Sequence, residues 1–159
     1  MEILLVFPFK REDLPLLWEW VQEFPQANFD DSGPRDYTVF ERIMTDRIQN
    51  EVTCGVILDN TLVGIIGYKP TDEHSGSFHG ICFAHAIHGR GVATKAVRTF
   101  IAKLYAGGVE KISAQYFASN RRVRRFLKNL GAKDEEYVRD ATAQNGLPMD
   151  MYLVSFVKE

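Results

Sequence analysis

The chain reads as one α/β (α+β) domain over residues 1–159, with a mixed, mostly antiparallel sheet of about seven strands flanked by about four helices. Three observations lead there. Short apolar runs of strand character alternate with helix-period apolar stripes, in the order β, α, α, three successive strands, α, β, α, β, β. The stretch from Phe78 to Leu104, FHGICFAHAIHGRGVATKAVRTFIAKL, passes from a strand through a glycine-bearing turn into a helix. The composition, 45% apolar and 25% charged, is that of an ordinary globular chain long enough to bury its own core.

Ile3 to Phe9 reads as the first strand, with Pro8 placing it at an edge or ending it early. Arg11-Glu12-Asp13 opens a helix whose stripe is Leu14, Leu17, Trp18 and Val21, and Pro25 ends it. After the loop 26–35, Asp36 caps a second helix carrying Val39, Phe40, Ile43, Met44 and Ile48. Val52 to Leu58 and Leu62 to Tyr68 form a hairpin around Asp59-Asn60. A third antiparallel strand, about Ser77 to His85, leads into the glycine turn. The helix that follows buries Ala96, Val97, Phe100, Ile101 and Leu104 and stops at Gly107-Gly108. Val109 to Phe117 is a strand, and Asn120 precedes a helix with Val123, Phe126, Leu127 and Leu130 on one face, ended by Gly131. A strand near Tyr137 and Val138 and a last one from Met149 to Val157 complete the sheet. No internal repeat or low-complexity segment interrupts this order.

The strand–turn–helix stretch suggests anion chemistry. The first N–H groups of a helix have no internal partner, and the helix dipole favours negative charge there. Gly89 and Gly91 let a bulky anion approach the backbone. A phosphate or pyrophosphate fits this arrangement. The string is not a Walker A loop, because no Gly-Lys-Ser/Thr follows. It is not the dinucleotide fingerprint either, since Thr94 stands where its third glycine belongs.

His88-Gly89-Arg90-Gly91-Val92-Ala93 resembles motif A of the GCN5-related N-acetyltransferases (GNAT), Gln/Arg-x-x-Gly-x-Gly/Ala, with His88 departing at the first position. ASNRRVRRFLKNLGAK resembles motif B of the same family, with Asn120, Val123, Leu130 and Gly131 matching in kind and spacing. The element order is also the one that family shows, so the resemblance covers nearly the whole chain. It implies an acetyl-CoA-dependent N-acetyltransferase, with acetyl-CoA held by Phe83, Ala84 and His85, by the loop His88, Gly89, Arg90, Gly91, Val92, Ala93 and Thr94, and by Asn120. It implies direct transfer of acetyl to a primary amine in a ternary complex. The acceptor class stays open among small-molecule amines, peptide N-termini and protein lysines, and homodimerisation stays open because family members often dimerise.

Such a transfer needs a deprotonated amine, N–H donors for the carbonyl oxygen, and a way to accommodate the departing thiolate. The resemblance gives the backbone N–H of Phe83 the oxyanion role. Many family members carry a tyrosine acid seven residues after the motif-B asparagine; here that position is Leu127, which leaves Tyr116 or Ser119, an unassisted thiolate, or no turnover at all. By the two-residue period Ser75, Ser77, His79, Ile81 and Phe83 share one strand face, and His79 is the candidate base there, since Ser77 occupies the place where some members have a glutamate. Glu73 and His74 are weaker candidates. Asp30-Asp31 serve either to attract an amine or simply to turn the chain.

Charge supports a polyanionic ligand on one side. Residues 1–87 hold 6 Lys/Arg against 14 Asp/Glu, and residues 88–139 hold 12 against 4, so the basic part begins at the glycine turn. Arg121, Arg122, Arg124 and Arg125 crowd the motif-B helix, within reach of a coenzyme A phosphate or simply solvated. Nucleic acid is not expected, since no aromatic-rich basic patch is present. No apolar run approaches a membrane span, and the N-terminus lacks a cleavable signal pattern. Cys54 and Cys82 sit in apolar runs without metal-ligand spacing, and the four histidines form no metal set. The expectation is a cytoplasmic protein with buried free thiols and no metal. Two other readings of the same fold stay open: a structural or interaction protein without catalysis, and a sensor that binds coenzyme A.

Overall fold

The computed structural model describes residues 2–23, 36–144 and 147–159. The loop 26–35, with Asp30-Asp31, lies outside them. The described elements are β1 (Ile3–Val6), a 3-10 turn (Arg11–Asp13), α1 (Leu14–Glu23), α2 (Tyr37–Asn50), β2 (Val52–Leu58), β3 (Thr61–Pro70), β4 (Ser75–Phe83), a short 3-10 turn (His85–Ile87), α3 (Val92–Ala106), β5 (Lys111–Phe117), α4 (Arg121–Asn129), β6 (Lys133–Gln144) and β7 (Leu147–Val157). The order is the one read from the sequence. Seven strands form one sheet in the order β1-β2-β3-β4-β5-β7-β6. This is the GNAT fold anticipated above.

Local chemistry sets most boundaries. β1 ends at Val6, ahead of Pro8, which has no N–H for a ladder. Asp36 caps α2, its Oδ1 accepting from the Val39 N–H at 2.9 Å. Asp59 and Asn60 turn the β2–β3 hairpin with φ of 47° and 69°, the left-handed pair that a tight hairpin requires.

The sheet separates two cores. On one face Val92, Ala96, Val97 and Phe100 of α3 and Leu127 of α4 pack on Ile66, Tyr68, Phe83, Ile112 and Phe156. On the other, Leu14, Leu17 and Trp20 of α1 and Phe40 and Met44 of α2 pack on Phe9, Ile65 and Cys82. Each fully buried large side chain contributes roughly 1.5–3 kcal/mol.

One irregularity governs the site. Ile66 pairs with Ile81 and Tyr68 with Phe78, so Gly67 alone faces both His79 and Gly80. Gly80 takes φ 97° to make this bulge. Gly67 must be glycine, because a Cβ there would lie 2.2 Å from the His79 carbonyl oxygen. An added residue reverses the alternation beyond it. This corrects the expectation that Ser75, Ser77, His79, Ile81 and Phe83 share a face. Ile81 and Phe83 join Phe78 in the α3/α4 core, whereas Ser77 and His79 lie on the face that carries α1 and α2.

Among the described residues, β4 and β5 form the one parallel pair of the sheet, and they pair from Ser75–Ser77 to Lys111–Ser113. Beyond Ser77, β4 pairs with β3 alone and β5 with β7 alone. The sheet is therefore parted between these strands toward their C-terminal ends.

Candidate active site

The parted edge leaves main-chain groups of β4 facing a gap. Ala84 N–H donates to the Val63 carbonyl at 2.8 Å. By antiparallel alternation Cys82 also turns its N–H to β3, and Ile81 and Phe83 turn theirs away, toward the gap. The Phe83 side chain packs over Gly64, where a Cβ would lie 2.4 Å from the ring.

The chain then folds back on itself. Ile87 is buried and anchors the short 3-10 turn. His88 Nε2–H donates to the Phe83 carbonyl at 3.0 Å, which ties the loop to the strand end. Burial lowers the His88 pKa, consistent with a neutral ring that keeps this donor. Gly89 and Gly91 take φ of 79° and 77°, with nothing within 4 Å of where their Cβ atoms would stand. The first helical bond of α3 runs from Lys95 N–H to the Gly91 carbonyl. The N–H groups of Val92, Ala93 and Thr94 therefore have no partner within the helix.

α4 starts opposite this loop. Asn120 Oδ1 accepts from the Val123 N–H at 3.2 Å and so caps the helix. Between the two helix starts lies a cavity of about 400 Å³, lined on one wall by Phe83, His88, Gly91 and Thr94 and on the other by Asn120 and Arg122. The opposite face of the sheet carries a second cavity, a groove of about 520 Å³ whose lining includes Lys69, Ser77, His79, Ser113, Gln115 and Glu136. Its floor is polar by register, since Ser77 lies beside Ser113 and Ser113 beside Ser155 across three adjacent strands. His79 Nδ1 lies 2.6 Å from Glu51 Oε1 at the start of the groove.

The family model for the acetyltransferase (GNAT) domain matches residues 4–133. The chain belongs to the GNAT acetyltransferase family. Members of this family use acetyl-CoA as cosubstrate. A search of curated proteins by sequence found no match. Among solved structures, a point variant of spermidine N-acetyltransferase from Vibrio cholerae superposes with a TM-score of 0.80 at 16% identity, over 98% of this chain and 93% of that one. The ribosomal-protein-alanine N-acetyltransferase from Brucella melitensis superposes with a TM-score of 0.78 at 15% identity, over 99% of this chain and 100% of that one. At such identities these likenesses speak for the GNAT fold alone.

Most of the residues expected to hold the cosubstrate come together around the first cavity: Phe83, His88, Gly89, Gly91, Ala93, Thr94 and Asn120 all line it. Ala84 instead hydrogen-bonds β3, His85 and Arg90 are exposed beside the loop, and Val92 is buried in the core. Ile81, Ile87, Arg122, Val123 and Phe126 line the cavity as well. Val123 stands at a position that matches motif B, whereas nothing in the sequence set Arg122 apart from the other arginines of α4.

The catalytic candidates are scattered more widely. Tyr116 lies in the α3/α4 core with its hydroxyl donating to Glu135 Oε2 at 2.8 Å, and it does not line the cavity. Burial first, then the Glu135 bond, raises its pKa. Arg124 grips the same carboxylate with Nε and a terminal nitrogen at 3.1 and 2.7 Å and lies over the Tyr152 ring. Hydrogen bonds from Arg124 hold the Glu135 carboxyl below the usual range. Ser119 is exposed in the turn before Asn120. Leu127 is buried against the core. Cys54 and Cys82 are buried, and burial pushes both thiols up to about 12. Neither supplies a thiolate near neutral pH. His74, bonded through Nδ1 to the Gly108 carbonyl at the far end of β4, lines neither cavity. Among the described residues, no helix is long and apolar enough to cross a membrane.

Proposed function

We propose that this protein transfers acetyl from acetyl-CoA to a primary amine, by direct attack in a ternary complex. The observation that carries the reading is a cavity beside the parted end of β4, with a polar groove on the opposite face of the sheet over the last paired rung, Ser77 and Ser113. One cavity begins at an uncapped helix start with glycines in open space, which fits a pyrophosphate. The other is polar and fits an acceptor.

Acetyl-CoA supplies the acetyl group as a thioester when bound. The N–H groups from Gly91 to Thr94 hold its pyrophosphate, and Arg122 adds a positive charge on the facing wall. Phe83 N–H donates to the carbonyl oxygen and gains strength as charge builds there. His79, on the groove side, takes the proton from the acceptor amine. Ser119, exposed beside Asn120, is the candidate from the sequence that remains for the leaving thiolate. Tyr116 is engaged by Glu135 and is a poor acid here. No covalent acyl-enzyme step is invoked, since both cysteines are held as neutral thiols.

A second reading has its own observation. Leu127, at the place of the family's usual tyrosine, is packed in the core, so a coenzyme A-binding member without turnover fits that position equally. Thiol release from acetyl-CoA, measured over a panel of spermidine, an alanine-terminated peptide and a lysine peptide, separates the two. Amine-dependent release supports the transferase. Binding of acetyl-CoA with no release for any amine class supports the sensor.

A further inference from the structure

Glu51 stands between α2 and β2, far in sequence from any motif, yet it is among the least exposed carboxylates near the site. Its side chain is 11% exposed and that of His79 27%. Its backbone N–H closes α2 by donating to the Arg47 carbonyl at 2.8 Å, which fixes where the side chain starts. The carboxylate then meets His79 Nδ1 at 2.6 Å.

A carboxylate only accepts hydrogen bonds. The Nδ1 of His79 must therefore carry the proton in this contact. In a neutral imidazole that leaves Nε2 as the unprotonated nitrogen, and His79 lines the polar groove. The bulge at Gly80 is what brings this about. In an unbroken alternation from His79 to Phe83 the two residues would share a face; the bulge puts Phe83 in the α3/α4 core and His79 on the opposite side.

We infer that Glu51 is a positioning residue that holds His79 in the Nδ1–H tautomer, so that Nε2 is presented to the groove as the proton acceptor for the incoming amine. This deepens the proposed acetyl transfer and rests on it. The step balances simply. An acceptor ammonium gives one proton to Nε2, the ring becomes an imidazolium still bonded to Glu51, and the freed amine forms the C–N bond to the thioester carbonyl. The C–S bond breaks, and coenzyme A leaves as a thiolate that takes up the second proton shed by the amine nitrogen. The proton on Nε2 leaves through the open groove to solvent. The arrangement resembles in logic any imidazole base oriented by a carboxylate, where the carboxylate sets the tautomer and stabilises the cation without taking the proton itself.

The test is a long-range proton–nitrogen NMR spectrum of the full chain with labelled histidine, at alkaline pH, with His79 assigned by its loss in His79→Gln. The expected result is Nδ1–H for His79 in the wild type and Nε2–H in Glu51→Ala. Glu51→Gln keeps an acceptor for Nδ1–H and should keep the tautomer, while kcat falls about 10- to 100-fold with KM little changed, in line with loss of acid–base assistance. A wild-type His79 carrying its proton on Nε2 overturns the inference, as does an unchanged kcat in Glu51→Ala. Failure of the underlying reading shows differently, as a wild-type protein that does not bind acetyl-CoA whatever the tautomer of His79.

Discussion

Gly91 carries the glycine turn through its backbone angle and through the space beside it. Its φ of 77° lies where a side chain is strained, and the direction of its missing Cβ is open. Gly91→Val should therefore cost about 1–2 kcal/mol of stability from backbone strain, without any clash in the free protein. It should also remove the stabilisation by acetyl-CoA, because the relaxed loop no longer aims the N–H groups of Val92 to Thr94. Thermal unfolding with and without the ligand reads both effects. Tyr116 makes the opposite case. Its hydroxyl is spent on Glu135, which Arg124 also holds. Tyr116→Phe should lower stability by about 0.5–1.5 kcal/mol and leave kcat within a factor of about two. A hundredfold loss in kcat at unchanged folding would restore Tyr116 as the acid.

These residues also show what could be read beforehand. A phosphate loop works through main-chain N–H groups, glycines and a helix start, and all three are written locally in residues 88–94. Asn120 was legible for the same reason, as a cap three residues before the amide it serves. The four arginines of α4 were not separable by sequence. Arg124 is claimed by Glu135 on β6, whereas Arg122 reaches the cavity, and only the packing of α4 on β6 decides between them.

β4 is the element on which the account turns. Its period was read without interruption from Ser75 to Phe83, and the bulge reversed its second half. The signal was present in Gly80, since an isolated glycine within a strand often marks a bulge. What the sequence did not show was the partner, Gly67, which must lack a side chain to let the His79 carbonyl approach. Gly67→Ala puts a Cβ against a backbone oxygen that cannot rotate away. The expected cost is about 1–3 kcal/mol, the range for forcing atoms into a packed site. The bulge should shift with it and carry His79 from Glu51, so amide shifts of residues 79–83 should move more than those of β2. A variant as stable as the wild type with an undisturbed β4 would contradict the bulge as described.

For the molecule as a whole, charge and topology agree. The basic residues gather after the glycine turn, and α3 and α4 start on the same side of the sheet, beside the first cavity. Element order, the two glycines and the asparagine cap made this architecture legible. The presence of a cavity on each face of the sheet was not legible, because it depends on where β4 and β5 stop pairing. Identification of Glu51 was beyond the sequence altogether, as it rests on a contact between residues 28 positions apart.

Thermal unfolding of the wild type in the presence of acetyl-CoA bears most directly on the central claim. A ligand at 100 times its Kd stabilises the folded state by about 2.7 kcal/mol. For a chain of this length that corresponds to a rise in Tm of about 5–10 °C. A rise of that size, absent in Gly91→Val, is the predicted result. An unchanged Tm at millimolar acetyl-CoA would contradict the account.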